Sequence, residues 1–258
     1  MRLLLVRHGD PDYGRDTLTE KGKREARLLA CMAEELNFGE VWASPMGRAG
    51  ATASYALERT GKIARVAEWL HEFMTPTDIN LSAELPLAYP DTQKEGDKYP
   101  IRDIVWEMVP SYMTKHPEYV TGDEWRRSEV ARCGKLVQRY DWVTTSLDNL
   151  FAEHGYVREG GCYRVAKGSK ETLTFFAHFG VICVILSHLW NVSPFVLWHG
   201  LAIHPCSVTE LLTEEYEQGI AWFRALRIGD LSHLYRGGEK PSFGGGRYCE
   251  LYSDREDV

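Results

Sequence analysis

A chain of 258 residues, 44% hydrophobic and 26% charged, is long enough for one large domain or two small ones. These fractions are close to ordinary globular usage, so a substantial core is expected without a disulfide or a metal to hold it. A formal net charge of −7 argues against nucleic acid as the main partner, and no stretch approaches the length of a membrane span. We therefore expect a globular protein that binds neither nucleic acid nor a membrane.

The six cysteines are scattered, and none forms a C-x-x-C pair. Cys31 and Cys183 lie in apolar helical patterns and are expected to be small core residues. The first residues lack a signal-peptide pattern, because their apolar run is too short for its hydrophobic region. A reduced, cytoplasmic setting is the resulting expectation.

The first seventy residues alternate between short apolar runs and amphipathic segments. An apolar run at 2–7 predicts a buried strand, and a loop follows it. Periodic apolar residues predict a helix over 18–36, started by a Thr17 or Thr19 cap. A strand at 38–43, a helix at 48–60 and a third strand at 63–69 continue the pattern. Alternating β and α units are typical of an α/β fold.

The alternation of strand and helix patterns stops at about residue 75 and resumes after about residue 165. Within this stretch, residues 99–112 and 123–153 have helical patterns, which predicts a largely helical insertion packed over the sheet. Afterwards we expect a buried strand at 173–177, a very apolar helix at 179–190 and two strands at 207–213 and 220–228.

The predicted architecture is a three-layer α/β/α fold with a mostly parallel central sheet. All 258 residues are assigned to one domain, since no flexible linker marks the edges of the insertion. Its core would comprise residues 1–74 and 170–235. Residues from about 237 to 258 are rich in glycine and charge and are expected to lie loosely on the surface.

Polar residues follow three of the predicted strands. Arg7, His8 and Gly9 come directly after the first strand, Arg48 opens the helix after the second, and His178 follows the strand at 173–177. Ligands of open α/β sheets bind beyond the carboxyl ends of the strands, so these residues could converge on one pocket. Arginine fits phosphate oxygens in a forked geometry, and a histidine can attack phosphorus.

Each residue also has an ordinary structural interpretation. Arg7 could form an ion pair at the end of its strand, Arg48 could be a solvated helix residue, and His178 could be a hydrogen-bonded core histidine. Their joint placement at predicted strand ends favours a phosphate site. Gly9 would let the backbone pass close to the ligand.

The segments LVRHG, LTEKGKREA and SPMGRAGATA, together with His178, resemble the histidine phosphatase superfamily, also called phosphoglycerate mutase-like. The resemblance covers residues 1 to about 73 and returns from about 172 to 235, where AHFG, CSVTEL and RIGDLSHL stand in the expected order. The middle of the chain matches poorly. The resemblance implies the phosphoglycerate mutase-like fold.

The resemblance also implies roles for the residues of the predicted pocket. His8 would be the nucleophile that becomes phosphohistidine, and Arg7, Arg48 and His178 would bind the phosphoryl oxygens. The proton donor to the leaving group would be Glu72, in the segment Leu70-His71-Glu72, with Glu68 as the second candidate. Phe179 stands where the acid branch of the superfamily has aspartate, which favours the branch that uses glutamate.

The loop after Gly9 departs from the pattern of true mutases. It is short and lacks the Ser and Trp-Asn residues that help those enzymes to hold a bisphosphorylated sugar acid. This departure favours a phosphatase over a cofactor-dependent phosphoglycerate mutase. Tyr13 and Arg15 in the loop are candidates for substrate contact, and a plain surface role is equally open.

Other residues carry weaker signals. His204 would border the pocket, because the family chain passes close to the active site there. No histidine pair has the spacing of a helical zinc site, so we predict neither a metal nor a cofactor. Aromatic residues of the insertion could line an apolar lid, or could pack within the insertion's own core: Trp106, Trp125, Tyr140 and Trp142.

The leading hypothesis is a metal-independent phosphomonoesterase that hydrolyses a small phosphorylated metabolite through His8. The alternatives are a phosphoglycerate mutase and a phosphate-binding protein that has lost turnover. The expected partner is the small substrate alone, and a homodimer is possible. The insertion should select the substrate.

Overall fold

The computed structural model describes residues 1–243, and all structural statements below refer to that range. Within it the strands are β1 (Arg2–Arg7), β2 (Pro11–Asp12), β3 (Thr17–Leu18), β4 (Glu40–Ala43), β5 (Arg65–Val66), β6 (Tyr156–Glu159), β7 (Cys162–Val165), β8 (Thr172–Ala177), β9 (Val208–Glu217) and β10 (Ile220–Asp230). The helices are α1 (Glu20–Ala30), α2 (Ala33–Leu36), α3 (Gly47–Leu57), α4 (Leu85–Ala88), α5 (Pro110–Met113), α6 (Glu129–Cys133), α7 (Leu136–Glu153), α8 (Phe179–Trp190), α9 (Pro194–Gly200) and α10 (Ser232–Arg236). Short 3-10 turns occur at Glu68–Leu70, Ile79–Leu81, Pro117–Tyr119 and Glu124–Arg127.

One large sheet organises this part of the chain, with the strand order β5-β4-β8-β1-β9-β10-β7-β6. The first four strands of that order are parallel, and every later pairing is antiparallel. The predicted α/β fold is confirmed, and the sheet is mixed. Its outer antiparallel strands β6 and β7 come from the end of the predicted insertion, which therefore extends the sheet as well as covering it.

Helices cover both faces of the sheet, because successive side chains of a strand point to opposite sides. In β1, Leu3 and Leu5 pack in the core that includes α7 and α8, whereas Leu4 and Val6 pack in the core that includes α1 and α3. All four side chains are fully buried. This double burial explains why β1 is a continuous apolar run.

Two predicted helices differ from the observed ones. The predicted helix over 99–112 is reduced to α5, because Pro110 starts a helix well but holds Val109 in an extended conformation. The predicted helix over 123–153 is interrupted at Gly134, where the backbone is extended and an added Cβ would overlap the Thr77 hydroxyl. The third predicted strand is reduced to β5 at the edge of the sheet, and Ile63, which precedes it, is 89% exposed.

The start of the predicted loose tail is ordered against α1. Glu239 forms an ion pair with Arg24 at 2.8 Å, and the buried Ser242 donates a hydrogen bond to Glu25 over 2.8 Å. Residues 237–243 therefore lie at the surface in contact with α1, residues 244–258 lie outside the described range, and the expectation of a loose tail stays a prediction.

The cysteines of the described range are all free. Cys183 is buried as predicted, but Cys31 is exposed because it caps the end of α1 on the solvent side. Cys249 lies outside the described residues. Within residues 1–243, no helix combines the length and the apolar character needed to cross a bilayer.

Candidate active site

The parallel pairing of β1 with β8 brings two histidines together. Arg7 lies opposite Ala177 in the register, so His8 and His178 leave neighbouring strands side by side. Their ring centroids are 5.1 Å apart, and both residues are buried. The convergence predicted from the strand ends is thus present in the structure.

His8 is held so that one ring nitrogen is available for reaction. Its Nδ1 lies 2.8 Å from the Gly9 carbonyl oxygen, which only accepts hydrogen bonds, so Nδ1 carries the proton. Burial, followed by the neighbouring Arg7 cation, lowers the pKa of His8 from 6.5 to about 3. The ring is therefore neutral at physiological pH, with a lone pair on Nε2.

His178 is oriented by Ser44, the residue that follows β4. Its Nε2 lies 2.7 Å from the Ser44 hydroxyl, which accepts the Met46 N–H over 3.2 Å. That hydroxyl is free to donate to Nε2, and the ring proton then resides on Nδ1. Burial, with His8 and Arg48 nearby, holds the pKa of His178 well below 6.5.

Arg7 is a buried cation without a carboxylate partner. It is only 8% exposed, and one terminal nitrogen donates to the Ile203 carbonyl oxygen. Among residues 1–243 no acidic side chain forms an ion pair with it. A buried charge is costly unless it is paired, so this guanidinium is suited to receive an anion.

Arg48 is clamped by Asp16, which the sequence reasoning did not single out. Arg48 Nη1 donates to Asp16 Oδ1 over 2.6 Å, and the Gly47 N–H donates to Asp16 Oδ2 over 2.6 Å. Partial burial opposes ionisation of Asp16, but these two hydrogen bonds outweigh it and hold its pKa below 3.8. Gly47 is required here, because an added Cβ would overlap the Asp16 carbonyl oxygen.

The Glu72 carboxyl group lies at the N-terminus of α8, the helix that begins directly after His178. Its Oε1 accepts hydrogen bonds from the N–H of Phe73 over 2.8 Å and of Gly180 over 3.0 Å. Burial raises its pKa above 4.5, although the Phe73 hydrogen bond and the Arg7 charge oppose the rise. The other candidate, Glu68, is exposed to solvent, which favours Glu72.

The structure gives a reason for glycine at position 9 other than a close approach of the backbone to the ligand. An added Cβ would lie 2.9 Å from the Gly22 carbonyl oxygen, so glycine allows β1 to approach α1 closely. Its N–H donates to Thr52 Oγ1 over 2.9 Å, and that hydroxyl donates to the Arg48 carbonyl oxygen over 2.8 Å. Thr52 thereby connects the segment after β1 to α3.

The three remaining candidates are placed differently. Tyr13 is 63% exposed, and the Arg48 guanidinium lies 5.4 Å from its ring centroid. Arg15 has an 84% exposed side chain that pairs with Asp12 at 4.0 Å, so the structure does not bring it to the buried group. His204 follows Ile203, the residue that anchors Arg7, and its Nδ1 lies 2.9 Å from the Ser242 carbonyl oxygen.

Three buried nitrogens at this site have no hydrogen-bond partner within residues 1–243. They are Nε of Arg7, Nε of Arg48 and Nδ1 of His178. Buried donors are nearly always paired in folded proteins, so this group is suited to the oxygens of a phosphoryl group. In the same range no three His, Cys, Asp or Glu side chains are grouped to hold a metal ion.

Two further residues near Glu72 come from the poorly matching middle of the chain. Trp106 packs against Phe179, with ring centroids 6.3 Å apart. Arg139 of α7 stacks over Trp142 at 4.3 Å, and its partly buried guanidinium interacts electrostatically with Glu72. Trp106 is one of the candidate lid residues named from the sequence, whereas no motif marked Arg139. Of the four insertion aromatics, Trp125 and Tyr140 pack together in the core as the second alternative predicted.

The model of one known protein family matches part of this chain. Residues 3–102 match the model of the histidine phosphatase superfamily (branch 1). That span contains Arg7, His8, Arg48 and Glu72, whereas His178 lies beyond it. A comparison with curated proteins finds no match.

Several solved structures share the fold. A phosphoserine phosphatase variant from Entamoeba histolytica in complex with phosphoserine is 15% identical, with 90% of this chain and 98% of that chain covered and a TM-score of 0.55. A mycobacterial glucosyl-3-phosphoglycerate phosphatase with inorganic phosphate is 19% identical over 90% and 98% of the two chains, with a TM-score of 0.54. The α-ribazole phosphatase from Shigella flexneri is 16% identical over 90% and 97%, with a TM-score of 0.50. At these identities the likeness is one of fold.

Proposed function

Because residues 3–102 match the model of the histidine phosphatase superfamily (branch 1), we propose that the chain is a histidine phosphatase and hydrolyses a small phosphate monoester through a phosphohistidine on His8. The observation that carries this proposal is the state of the His8 ring. Its proton is held on Nδ1 by the Gly9 carbonyl oxygen, and its pKa of about 3 leaves Nε2 unprotonated. A fixed, neutral imidazole beside two buried arginines has the properties of a nucleophile toward phosphorus.

In the first step His8 Nε2 attacks phosphorus, and the bond from phosphorus to the ester oxygen breaks. The leaving oxygen takes the proton of Glu72, whose pKa is raised by burial so that a protonated fraction persists above its ordinary range. The equatorial oxygens interact with Arg7, Arg48 and His178, which are already in place. Such preorganised charges supply most of the catalysis in phosphoryl transfer.

In the second step a water molecule attacks the phosphohistidine. The Glu72 carboxylate takes a proton from this water, and the bond from phosphorus to His8 Nε2 breaks. Inorganic phosphate leaves, and both side chains return to their starting protonation states. No step requires a metal ion, because the cations that bind the phosphoryl group are arginines.

The proposed setting is the cytoplasm, with a small-molecule substrate. The free cysteines of residues 1–243 are consistent with a reduced compartment. Phosphoserine and glucosyl-3-phosphoglycerate, named for the fold relatives above, are reasonable members of a first substrate panel.

The direct test is a panel of phosphate monoesters, assayed from acidic to neutral pH with a metal chelator present. We expect phosphate release by the wild type and its loss, by a factor of at least about 10³, in His8→Ala. His199→Ala is the matched control, since His199 is exposed at the end of α9. Phosphate binding without turnover of any ester would contradict the proposal and indicate a binding protein.

A further inference from the structure

The Glu72 side of the site has an aromatic wall, formed by Trp106 and Phe179. The two rings meet edge to face with centroids 6.3 Å apart. Both residues are partly exposed, whereas Trp198 and Phe73 behind them are buried. Trp106 and Trp198 have ring centroids 5.2 Å apart, so the wall is supported from the core.

The wall adjoins both the phosphoryl site and the proton donor. The Arg7 guanidinium carbon lies 5.8 Å from the Phe179 ring centroid. A Cβ added to Gly180 would lie 2.6 Å from Trp106 Cη2 and 2.7 Å from Glu72 Oε1. The edge of the Trp106 ring and the Glu72 carboxylate therefore both lie next to the backbone of Gly180.

This placement restricts the alcohol part of a substrate. The leaving oxygen must come within hydrogen-bond distance of Glu72 while phosphorus stays near Arg7. Atoms attached to that oxygen must then pass close to Trp106 and Phe179. Aromatic rings interact favourably with other rings in stacked and edge-to-face arrangements and with apolar groups generally.

We propose that the aromatic wall selects phosphate monoesters whose alcohol carries a planar, apolar ring close to the ester oxygen. The inference rests on the proposed function and adds a substrate class to it. Arg139, also near Glu72, is stacked on Trp142 and interacts with the Glu72 charge.

The test compares benzyl phosphate with ethyl phosphate, whose alcohols are of similar acidity, so that the difference reports contacts of the ring. For the wild type we expect kcat/KM to favour the benzyl ester by at least about tenfold. In Trp106→Ala and Phe179→Leu the ratio of kcat/KM for the benzyl ester to kcat/KM for the ethyl ester should fall several-fold. Trp222→Ala is the control, because Trp222 is a partly exposed tryptophan on β10.

Binding measurements separate this inference from the proposed function. Benzylphosphonate should bind the wild type several-fold more tightly than ethylphosphonate, and the two wall variants should lose that difference. Equal turnover and equal binding of the two esters and phosphonates would overturn the inference and leave the phosphatase function intact. Selective binding without turnover of either ester would support the wall and contradict the phosphatase. Thermal unfolding of each variant checks that it is folded.

Discussion

Glu72 Oε1 accepts the Gly180 N–H over 3.0 Å, which fixes the carboxyl group at the first turn of α8. The same helix begins directly after His178, so one backbone segment positions both side chains. The positive end of the helix dipole favours the carboxylate form, but burial has the larger effect and raises the pKa of Glu72. The result is a carboxyl group that is held rigidly and remains able to carry a proton.

The first prediction concerns Gly180→Ala. The new Cβ would lie 2.7 Å from Glu72 Oε1, so the carboxyl group must move. We expect kcat for an alkyl phosphate to fall by about 10- to 100-fold, because small displacements of a proton donor are costly. Binding of inorganic phosphate, measured by calorimetry, should change little, since Arg7 and Arg48 are untouched. Unchanged kcat would show that the Gly180 contact does not position Glu72 for the reaction.

The second prediction concerns Glu72→Gln, which keeps the size of the side chain but cannot donate a carboxyl proton. For alkyl phosphates we expect kcat to fall by about 10²- to 10⁴-fold. For 4-nitrophenyl phosphate the formation of phosphohistidine should be affected much less, because its leaving group needs no proton. Rapid-quench measurement of 4-nitrophenol release in the first turnover provides the comparison. Equal losses in that step for both kinds of ester would contradict the proton-donor role.

The third prediction concerns the clamp on Arg48. Asp16→Asn keeps a residue that tolerates the left-handed backbone at this position, where φ is 47°. It removes the charge that accepts from both Gly47 and Arg48, so we expect KM to rise by about tenfold, or about 1.4 kcal/mol. Asp12→Asn in the same loop is the control. Identical KM values for the two variants would show that the clamp does not prepare Arg48 for substrate.

The parallel pairing of β1 and β8 explains why the residues at the strand ends could be predicted. Arg7, His8 and His178 follow directly from two short, apolar strands whose carboxyl ends must meet. Asp16 could not be found in this way, because its role depends on a left-handed turn that no motif marks. Trp106 lies in an irregular segment of the chain, and only the folded structure shows that it reaches Glu72.

The fourth prediction concerns acid stability. Burial lowers the pKa of His233 from 6.5 to about 4, although Asp230 and a Cys206 backbone hydrogen bond oppose the shift. Between these two values the unfolded chain binds the proton more readily, so the free energy of unfolding decreases as the pH falls from about 6.5 to about 4. Over this pH interval the free energy of unfolding of His233→Gln should decrease by about 3 kcal/mol less than that of the wild type.

Denaturant unfolding at a series of pH values measures this difference. His199→Gln is the matched control, because His199 is exposed. The free energy of unfolding of this variant should depend on pH as that of the wild type does. His8 and His178 are also buried with lowered pKa values, so part of the acid sensitivity should remain in His233→Gln. The same pH dependence in all three proteins would contradict burial of a neutral His233.

The central claim is that His8 Nε2 accepts the phosphoryl group. It is tested most directly by mixing the enzyme with 4-nitrophenyl phosphate, quenching in alkali, where phosphohistidine persists, and locating the modification by peptide mass spectrometry. The mechanism predicts one phosphoryl group on His8 in the wild type, more of it in Glu72→Gln, where hydrolysis of the intermediate is slowed, and none at that site in His8→Ala. Steady turnover by the wild type and Glu72→Gln with no trace of phosphorylated His8 in either, or phosphorylation at another residue that persists in His8→Ala, would contradict it.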